Sequence, residues 1–155
     1  MDYSVRSARI TDIDRLVALF GDRLDAHRES DPLDAAALLR QLVYLPHASV
    51  LVAEIRREIV GGVVLAIRPS VRSGGYVGTI DLLAVAPHAD ADLLTDILLE
   101  EALRSAANKG CASVEAPPPD EPAEQARWAR AGFVDTGPVM GRVVAPARAG
   151  VGRAR

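Results

Sequence analysis

The sequence predicts an α+β fold with a mostly antiparallel central sheet and helices on both faces. The first observation is the order of elements, which is strand, two helices, three strands, helix, strand, helix and strand. The second is that short connections separate the three central strands, which makes them antiparallel neighbours. The third is a long helix with one apolar stripe. Such an order excludes a doubly wound sheet, in which strands and helices alternate throughout.

The first third of the chain predicts one strand and two helices. Residues 3–8 alternate as a short strand does, and Thr11 with Asp14 supplies an N-cap and an acid three residues later. The stripe of the first helix is formed by apolar residues at spacings of three and four, namely Ile13, Leu16, Val17, Phe20 and Leu24. Asp31 and Pro32 supply a cap and a first-turn proline for a second helix to about Tyr44.

The remaining elements follow from apolar runs and from turn residues. Three β-branched runs, over residues 49–55, 59–67 and 76–85, predict strands. A helix from about Asp92 to Asn108 ends at Gly110, which suits a C-cap. Its predicted inward residues are Leu94, Ile97, Leu98, Ala102 and Leu103. A strand over 111–116 then runs into Pro117, Pro118 and Pro119, and a helix over 121–131, Gly132, Phe133 and a final strand to about Val144 follow.

The composition predicts one globular domain over residues 1–144, followed by a flexible Ala/Gly/Arg tail over residues 145–155. Of the 155 residues, 49% are hydrophobic and 25% charged, which is too apolar for a disordered chain. The N-terminus has no apolar signal core, and no apolar stretch approaches the roughly 18 residues of a membrane span. A cytoplasmic protein with no membrane partner is expected.

The net charge, the cysteine and the histidines disfavour a nucleic-acid-binding protein, a catalytic thiol and a metal site. A formal net charge of -3 disfavours a nucleic-acid partner, which requires a basic face. The arginines of the tail suggest a solvated end or a contact for an acidic partner. Cys111 is the one cysteine, and at the start of a predicted buried strand it is expected to be a packed thiol. His27, His47 and His88 have no metal-ligand spacing, so no metal is expected.

Three segments of the chain resemble the GNAT N-acetyltransferase superfamily. Residues 50–54, VLVAE, with 58–61, EIVG, resemble the second and third strands of that family. Residues 80–87, IDLLAVAP, resemble its fourth strand and the proline that closes it. Residues 126–133, ARWARAGF, resemble its last helix and closing Gly-Phe. The three occur in the family's order, and the resemblance of the whole pattern extends over nearly the whole chain to about Val144.

The resemblance implies acetyl transfer from acetyl-CoA to an amine. It also implies a V-shaped splay between strands four and five, where the pantetheine chain pairs with the backbone of strand four at Leu83, Ala84 and Val85. The pyrophosphate of the cofactor would then rest on the N-terminus of the long helix, where free N–H groups favour an anion. The residues that correspond to that loop are Asp90, Ala91, Asp92, Leu93, Leu94 and Thr95. Relatives are often dimers, so a homodimer is a possible assembly.

The loop departs from the family pattern Arg/Gln-x-x-Gly-x-Gly/Ala. Asp90 stands at the basic position, and Leu93 and Thr95 stand at the glycine positions. Asp92 and Asp96 add two further carboxylates. These changes predict weak cofactor binding, because the phosphates lose attraction and the backbone cannot approach them. An alternative is that Asp90 and Asp92 simply cap the helix, and a metal site is a third interpretation.

Two side chains in the resembling segments are candidates for chemistry. Asp81 matches a position where many relatives carry an acid near the amine. It is either a general base that acts through water or a polar residue on the outer face of its strand. Trp128 stands where the family has a tyrosine, and its indole cannot replace a phenol as general acid. A packing role in the core is the alternative.

Two functions remain open at the level of sequence. The first is a GNAT-type acyltransferase that binds acetyl-CoA, or another acyl-CoA, weakly or in an unusual pose. The second is a non-catalytic GNAT-fold binding or assembly module that does not bind acetyl-CoA. The altered loop separates the two, since it removes the feature on which the cofactor's phosphates depend.

Overall fold

The computed structural model describes residues 2–24, 34–137, 140 and 142, and the element order agrees with the predicted one as far as the last helix. The helices are α1 (Ile13–Phe20), α2 (Ala35–Leu42), α3 (Ala91–Asn108) and α4 (Pro122–Arg130). The strands are β1 (Ser4–Ser7), β2 (Ala48–Ile55), β3 (Glu58–Ser70), β4 (Gly75–Val85) and β5 (Cys111–Glu115). Short 3₁₀ turns, Ile10–Asp12 and Gly21–Arg23, flank α1.

The five strands form one open sheet in the order β1-β2-β3-β4-β5. The first four are antiparallel to their neighbours, and β5 is parallel to β4 because α3 connects them. The core divides into two clusters, one in which α3 packs on the sheet and one in which α1 and α2 pack on it. The α+β fold and the mostly antiparallel sheet with helices on both faces are thereby confirmed.

Two adjacent glycines of β3 allow the helices of both faces to approach the sheet closely. A Cβ at Gly62 would lie 2.5 Å from Leu16 Cδ2 of α1, and a Cβ at Gly61 would lie 3.0 Å from Leu98 Cδ1 of α3. Because successive strand residues point to opposite faces, the pair provides space on both sides of one strand. Leu16 and Leu98 are both fully buried at these contacts.

The ends of the first two helices differ from the prediction for local reasons. α1 is preceded by a 3₁₀ turn, and Asp12, not Thr11, is its N-cap residue. The Asp12 carboxylate closes the 3₁₀ turn, since it accepts the Arg9 N–H at 2.7 Å. The α-helix ends at Phe20, so Leu24 lies beyond it. Asp34 caps α2 and accepts the Ala37 N–H at 2.8 Å. The predicted cap of α2, residues 31–32, lies outside the described residues.

The predicted burial of β5 is wrong. Its residues are exposed or half-buried, because β5 is the edge strand of the sheet in the described part of the chain. Cys111 is partly buried, and burial raises the pKa of its thiol, as for a packed cysteine. Residues 133–137 form no strand, and most of the predicted final strand lies outside the described residues, as do residues 145–155. Among the described residues, no helix combines the length and apolarity needed to cross a membrane.

A buried ion pair joins the start of α1 to the sheet. Asp12 is only 7% exposed and accepts two hydrogen bonds from Arg6 of β1, at 2.7 and 3.1 Å. Arg6 Nε also donates to Glu54 of β2 at 3.1 Å. The hydrogen bonds from Arg6 hold the pKa of Asp12 below its usual value, against the opposing effect of burial.

We expect Asp12→Asn to lower the free energy of unfolding by about 2 kcal/mol at neutral pH, because charge-assisted hydrogen bonds are lost. The folded pKa of Asp12 lies below the unfolded value. Its stabilisation is therefore complete above roughly pH 4 and is lost as the pH falls through the folded pKa. Urea denaturation from pH 7 to pH 3 measures this difference. Asp14→Asn, at an exposed site of the same helix, is the control; a difference that does not change with pH would contradict the assignment.

We expect Gly62→Ala to destabilise the protein by about 1 to 3 kcal/mol, because the new methyl group overpacks the contact with Leu16. Gly21→Ala is the matched control, since nothing lies within 4 Å of its added Cβ and its φ is -36°. Thermal denaturation of the two variants compares them. Equal melting temperatures would show that α1 does not pack this closely on β3.

Candidate active site

A cleft opens where β4 and β5 separate. β5 pairs with β4 only between Tyr76 and Thr79, so the backbone of β4 beyond Thr79 has no partner on that side in the described residues. β5 cannot continue this ladder, because Pro117, Pro118 and Pro119 have no N–H groups to donate. The predicted V-shaped splay between the fourth and fifth strands is thus confirmed.

A β-bulge in β4 places Asp81 at this point of separation. Leu65 of β3 pairs with Ile80 and Val64 pairs with Leu82, so Asp81 is an extra residue with no partner opposite it. A bulge bends its strand and redirects the side chain. Asp81 is exposed and lines the cleft. A role as general base requires this placement.

The cleft has a volume of about 1250 Å³ and lies between β4, the end of α1 and α4. Of the residues predicted to bind a cofactor, Leu83, Ala84, Val85, Ala91 and Thr95 line it. Leu83 and Ala84 are only 9% and 2% exposed as whole residues, so a ligand on this edge would contact mainly the exposed Asp81 and the half-buried Leu82 and Val85. The other four predicted residues, Asp90, Asp92, Leu93 and Leu94, are not part of the lining.

The Asp90 side chain occupies one N-terminal donor of α3, because its Oδ1 accepts the N–H of Leu93 at 3.1 Å. Its carbonyl oxygen accepts the N–H of Leu94 at 2.9 Å, which is the first intrahelical hydrogen bond of α3. The Leu94 side chain is fully buried and that of Thr95 is 4% exposed, so both belong to the core. The geometry is that of an N-cap. An anion at this helix end would compete with the Asp90 carboxylate for the same N–H group.

Two ion pairs tie the first turns of α3 to α4. Arg127 Nε lies 2.7 Å from Asp92 Oδ1, and Arg130 Nη2 lies 3.1 Å from Asp96 Oδ1. The hydrogen bond from Arg127 holds the pKa of Asp92 below its usual value. Neither arginine was predicted as a site residue from the sequence. The spacing of the charges could have predicted the pairing. Asp92 and Asp96 are one turn apart on α3, and Arg127 and Arg130 are about one turn apart on α4.

The aspartates of this loop are not grouped as metal ligands. Among the described residues, no three His, Cys, Asp or Glu side chains are placed to hold a metal ion. His88 Nε2 instead lies 3.0 Å from Glu58 Oε2 in an exposed pair. His47 lies in the turn before β2, and His27 is outside the described residues.

The outer wall of the cleft is α4, a helix with no fully buried residue. Trp128 is its main apolar anchor: the indole is partly buried against the core, and its ring centroid lies 4.9 Å from that of Phe133 in an edge-on arrangement. Trp128 also lines the cleft. Glu124 pairs with Arg23, which connects α4 to the end of α1. The packing role expected for Trp128 is consistent with these contacts.

The cleft fits the pantetheine arm of an acyl-CoA better than it fits the diphosphate. The open edge of β4 fits a pantetheine arm, since it offers unpaired backbone along an extended strand. The N-terminus of α3 fits a diphosphate poorly, since Asp90 takes the Leu93 N–H and Asp92 takes the Nε of Arg127. Binding phosphates there would also place them beside two carboxylates.

We expect Asp90→Ala to lower the free energy of unfolding by about 1 kcal/mol, because α3 loses its N-cap. Asp90→Asn should cost far less, since an asparagine oxygen also caps. Chemical denaturation of both variants measures the difference. If alanine and asparagine have the same effect, Asp90 does not close the helix end.

The comparisons with known proteins agree with this fold. A model of the acetyltransferase (GNAT) family matches residues 15–133. The chain is similar to a transcriptional regulator from Bacillus halodurans C-125, with a TM-score of 0.75, 18% identity, and coverage of 92% of this chain and 100% of that one. It is also similar to a putative acetyltransferase from Agrobacterium tumefaciens, with a TM-score of 0.73, 19% identity, and coverage of 92% and 99%.

A third similar structure is the glucosamine-6-phosphate N-acetyltransferase of Arabidopsis thaliana, with a TM-score of 0.72, 15% identity, and coverage of 92% and 99%. A search of curated proteins finds no significant match. At these identities the three structures establish the fold alone. The family model covers well over half of the chain, and the chain therefore belongs to the GNAT acetyltransferase family.

Proposed function

We propose that the protein transfers an acyl group from a pantetheine thioester, of which acetyl-CoA is the family's example, to an amine. The observation that carries this proposal is the unpaired backbone of β4 beyond Thr79 at the floor of an open cleft. An extended ligand can add to such an edge as a further strand does. Binding of acetyl-CoA is weak in this proposal, because at the helix end that would hold its diphosphate Asp90 takes the Leu93 N–H and adds a negative charge.

The residues of the chain would supply position and proton transfer. The thioester supplies an activated acyl carbon and a thiolate leaving group. Asp81 projects into the cleft from its bulge and would accept the proton that the amine loses, through water. Trp128 offers an N–H donor only, so it would orient or pack against substrate and would not protonate the thiolate. Much of the rate enhancement would come from positioning on the β4 edge.

The same observation disfavours a non-catalytic module. Acyl transfer to an amine would use an open β4 edge with an acid beside it, and this chain has both. Two of the similar structures are described as acetyltransferases, and one of these acts on an amino sugar phosphate, which supports an amine acceptor by analogy.

We expect acetyl-CoA to stabilise the protein only slightly. With a dissociation constant near 1 mM, about 1 mM ligand adds roughly 0.4 kcal/mol. The melting temperature should then rise by less than about 2 °C. Differential scanning fluorimetry measures this shift. A rise of many degrees would show micromolar affinity and would contradict the closed helix end.

We expect Asp81→Asn to lower the rate of acyl transfer by about a hundredfold and to flatten its dependence on pH, because the base is removed. Trp128→Phe should chiefly lower stability, by about 1 to 2 kcal/mol, since the indole packs on Phe133 and the core. Thiol release from acetyl-CoA with a panel of primary amines measures the rates. The reverse pattern, in which Trp128→Phe abolishes transfer and Asp81→Asn does not, would reject both roles.

A further inference from the structure

We propose that the donor is recognised through its pantetheine arm alone, so that pantetheine thioesters without a nucleotide or diphosphate are bound as well as acetyl-CoA. This inference rests on the proposed acyl transfer and specifies its donor class. It follows from the contrast between the two parts of the cleft, one of which is open and the other already filled by side chains of the chain itself.

The open part is the edge of β4. β5 leaves it after Thr79, and residues 80–85 line the cleft beyond that point. Leu83 and Ala84 are buried, so the strand that carries the half-buried Leu82 and Val85 is held in place without a ligand. An arm made of two amides and a thiol needs only such a strand edge.

The filled part is the first turn of α3. Asp90 places a carboxylate oxygen 3.1 Å from the Leu93 N–H, as an anion's oxygen would be placed. A ligand phosphate could use this N–H only after the Asp90 side chain had moved away. Afterwards the Asp90 carboxylate would remain beside the phosphate as a like charge.

Arg127, whose ion pair reaches this turn, already binds a carboxylate of the chain. Arg127 lines the cleft, but its Nε bonds Asp92 Oδ1 at 2.7 Å. A phosphate that took Arg127 would leave a second carboxylate, Asp92, without its partner. Asp90 and Asp92 therefore engage one N–H group of this turn and the Nε of Arg127. A diphosphate would have to displace these carboxylates to use either group, so a donor without a diphosphate gives up little.

The test compares CoA with pantetheine, which carries the same arm and thiol but neither diphosphate nor nucleotide. Trp128 is the only tryptophan of the chain and lines the cleft, so its fluorescence reports binding of either ligand. For the unaltered protein we expect dissociation constants that agree within about threefold, since the phosphates gain no net attraction. A CoA affinity more than about tenfold above that of pantetheine would overturn this inference and leave the proposed acyl transfer intact.

A double variant tests the cause. Asp90→Gly with Asp92→Ala removes both carboxylates and the acceptor of Arg127, and glycine at the cap position costs α3 only a few tenths of a kcal/mol. CoA should then bind at least about tenfold more tightly, and pantetheine should bind as before. Asp96→Ala is the matched control, because it frees Arg130, which does not line the cleft, and it should change neither affinity.

The remaining outcomes are also decisive. If the double variant binds CoA no better than the unaltered protein, the two carboxylates do not set the donor class, and the inference is wrong. If neither ligand binds the unaltered protein at millimolar concentration, the proposed acyl transfer is itself wrong.

Discussion

The β-bulge at Asp81 is the constraint on which the site depends. It lies two residues after Thr79, the last residue of β4 that pairs with β5. The bulge bends β4 close to the point where the three prolines prevent β5 from continuing the ladder. The separated strands leave a backbone edge, a cleft and an exposed carboxylate at one place. On the other side, β4 stays paired with β3 up to Val85, so the open edge remains part of a rigid sheet.

The charged side chains around the start of α3 are already engaged in hydrogen bonds and ion pairs within the fold. Asp90 closes the helix end, and Asp92 and Asp96 hold Arg127 and Arg130 of α4, a helix that has no fully buried residue of its own. An anion at this helix end and the Asp90 cap compete, because both use the Leu93 N–H. In the proposed function, donor affinity and the attachment of α4 would therefore be coupled through Asp92, which holds Arg127.

Much of the fold was predictable, because the signals are local. The apolar runs gave β2, β3, β4 and α3 to within a few residues, and the loop substitutions at Asp90 and Leu93 were visible in the sequence. The exposure of β5 was not predictable, since it depends on which strands flank it in the sheet. The pairing of Arg127 with Asp92 was missed because the partners are 35 residues apart and meet only when α4 packs beside α3.

The most direct test of the account is to follow backbone amide signals by NMR while CoA is added. The account predicts that the amides of residues 81–85 shift, because the arm pairs with β4, and that those of residues 91–94 stay unchanged, because Asp90 keeps the helix end closed. Large shifts at residues 91–94 with none at residues 81–85 would show that the phosphates, and not the arm, are recognised. That result would contradict the central claim.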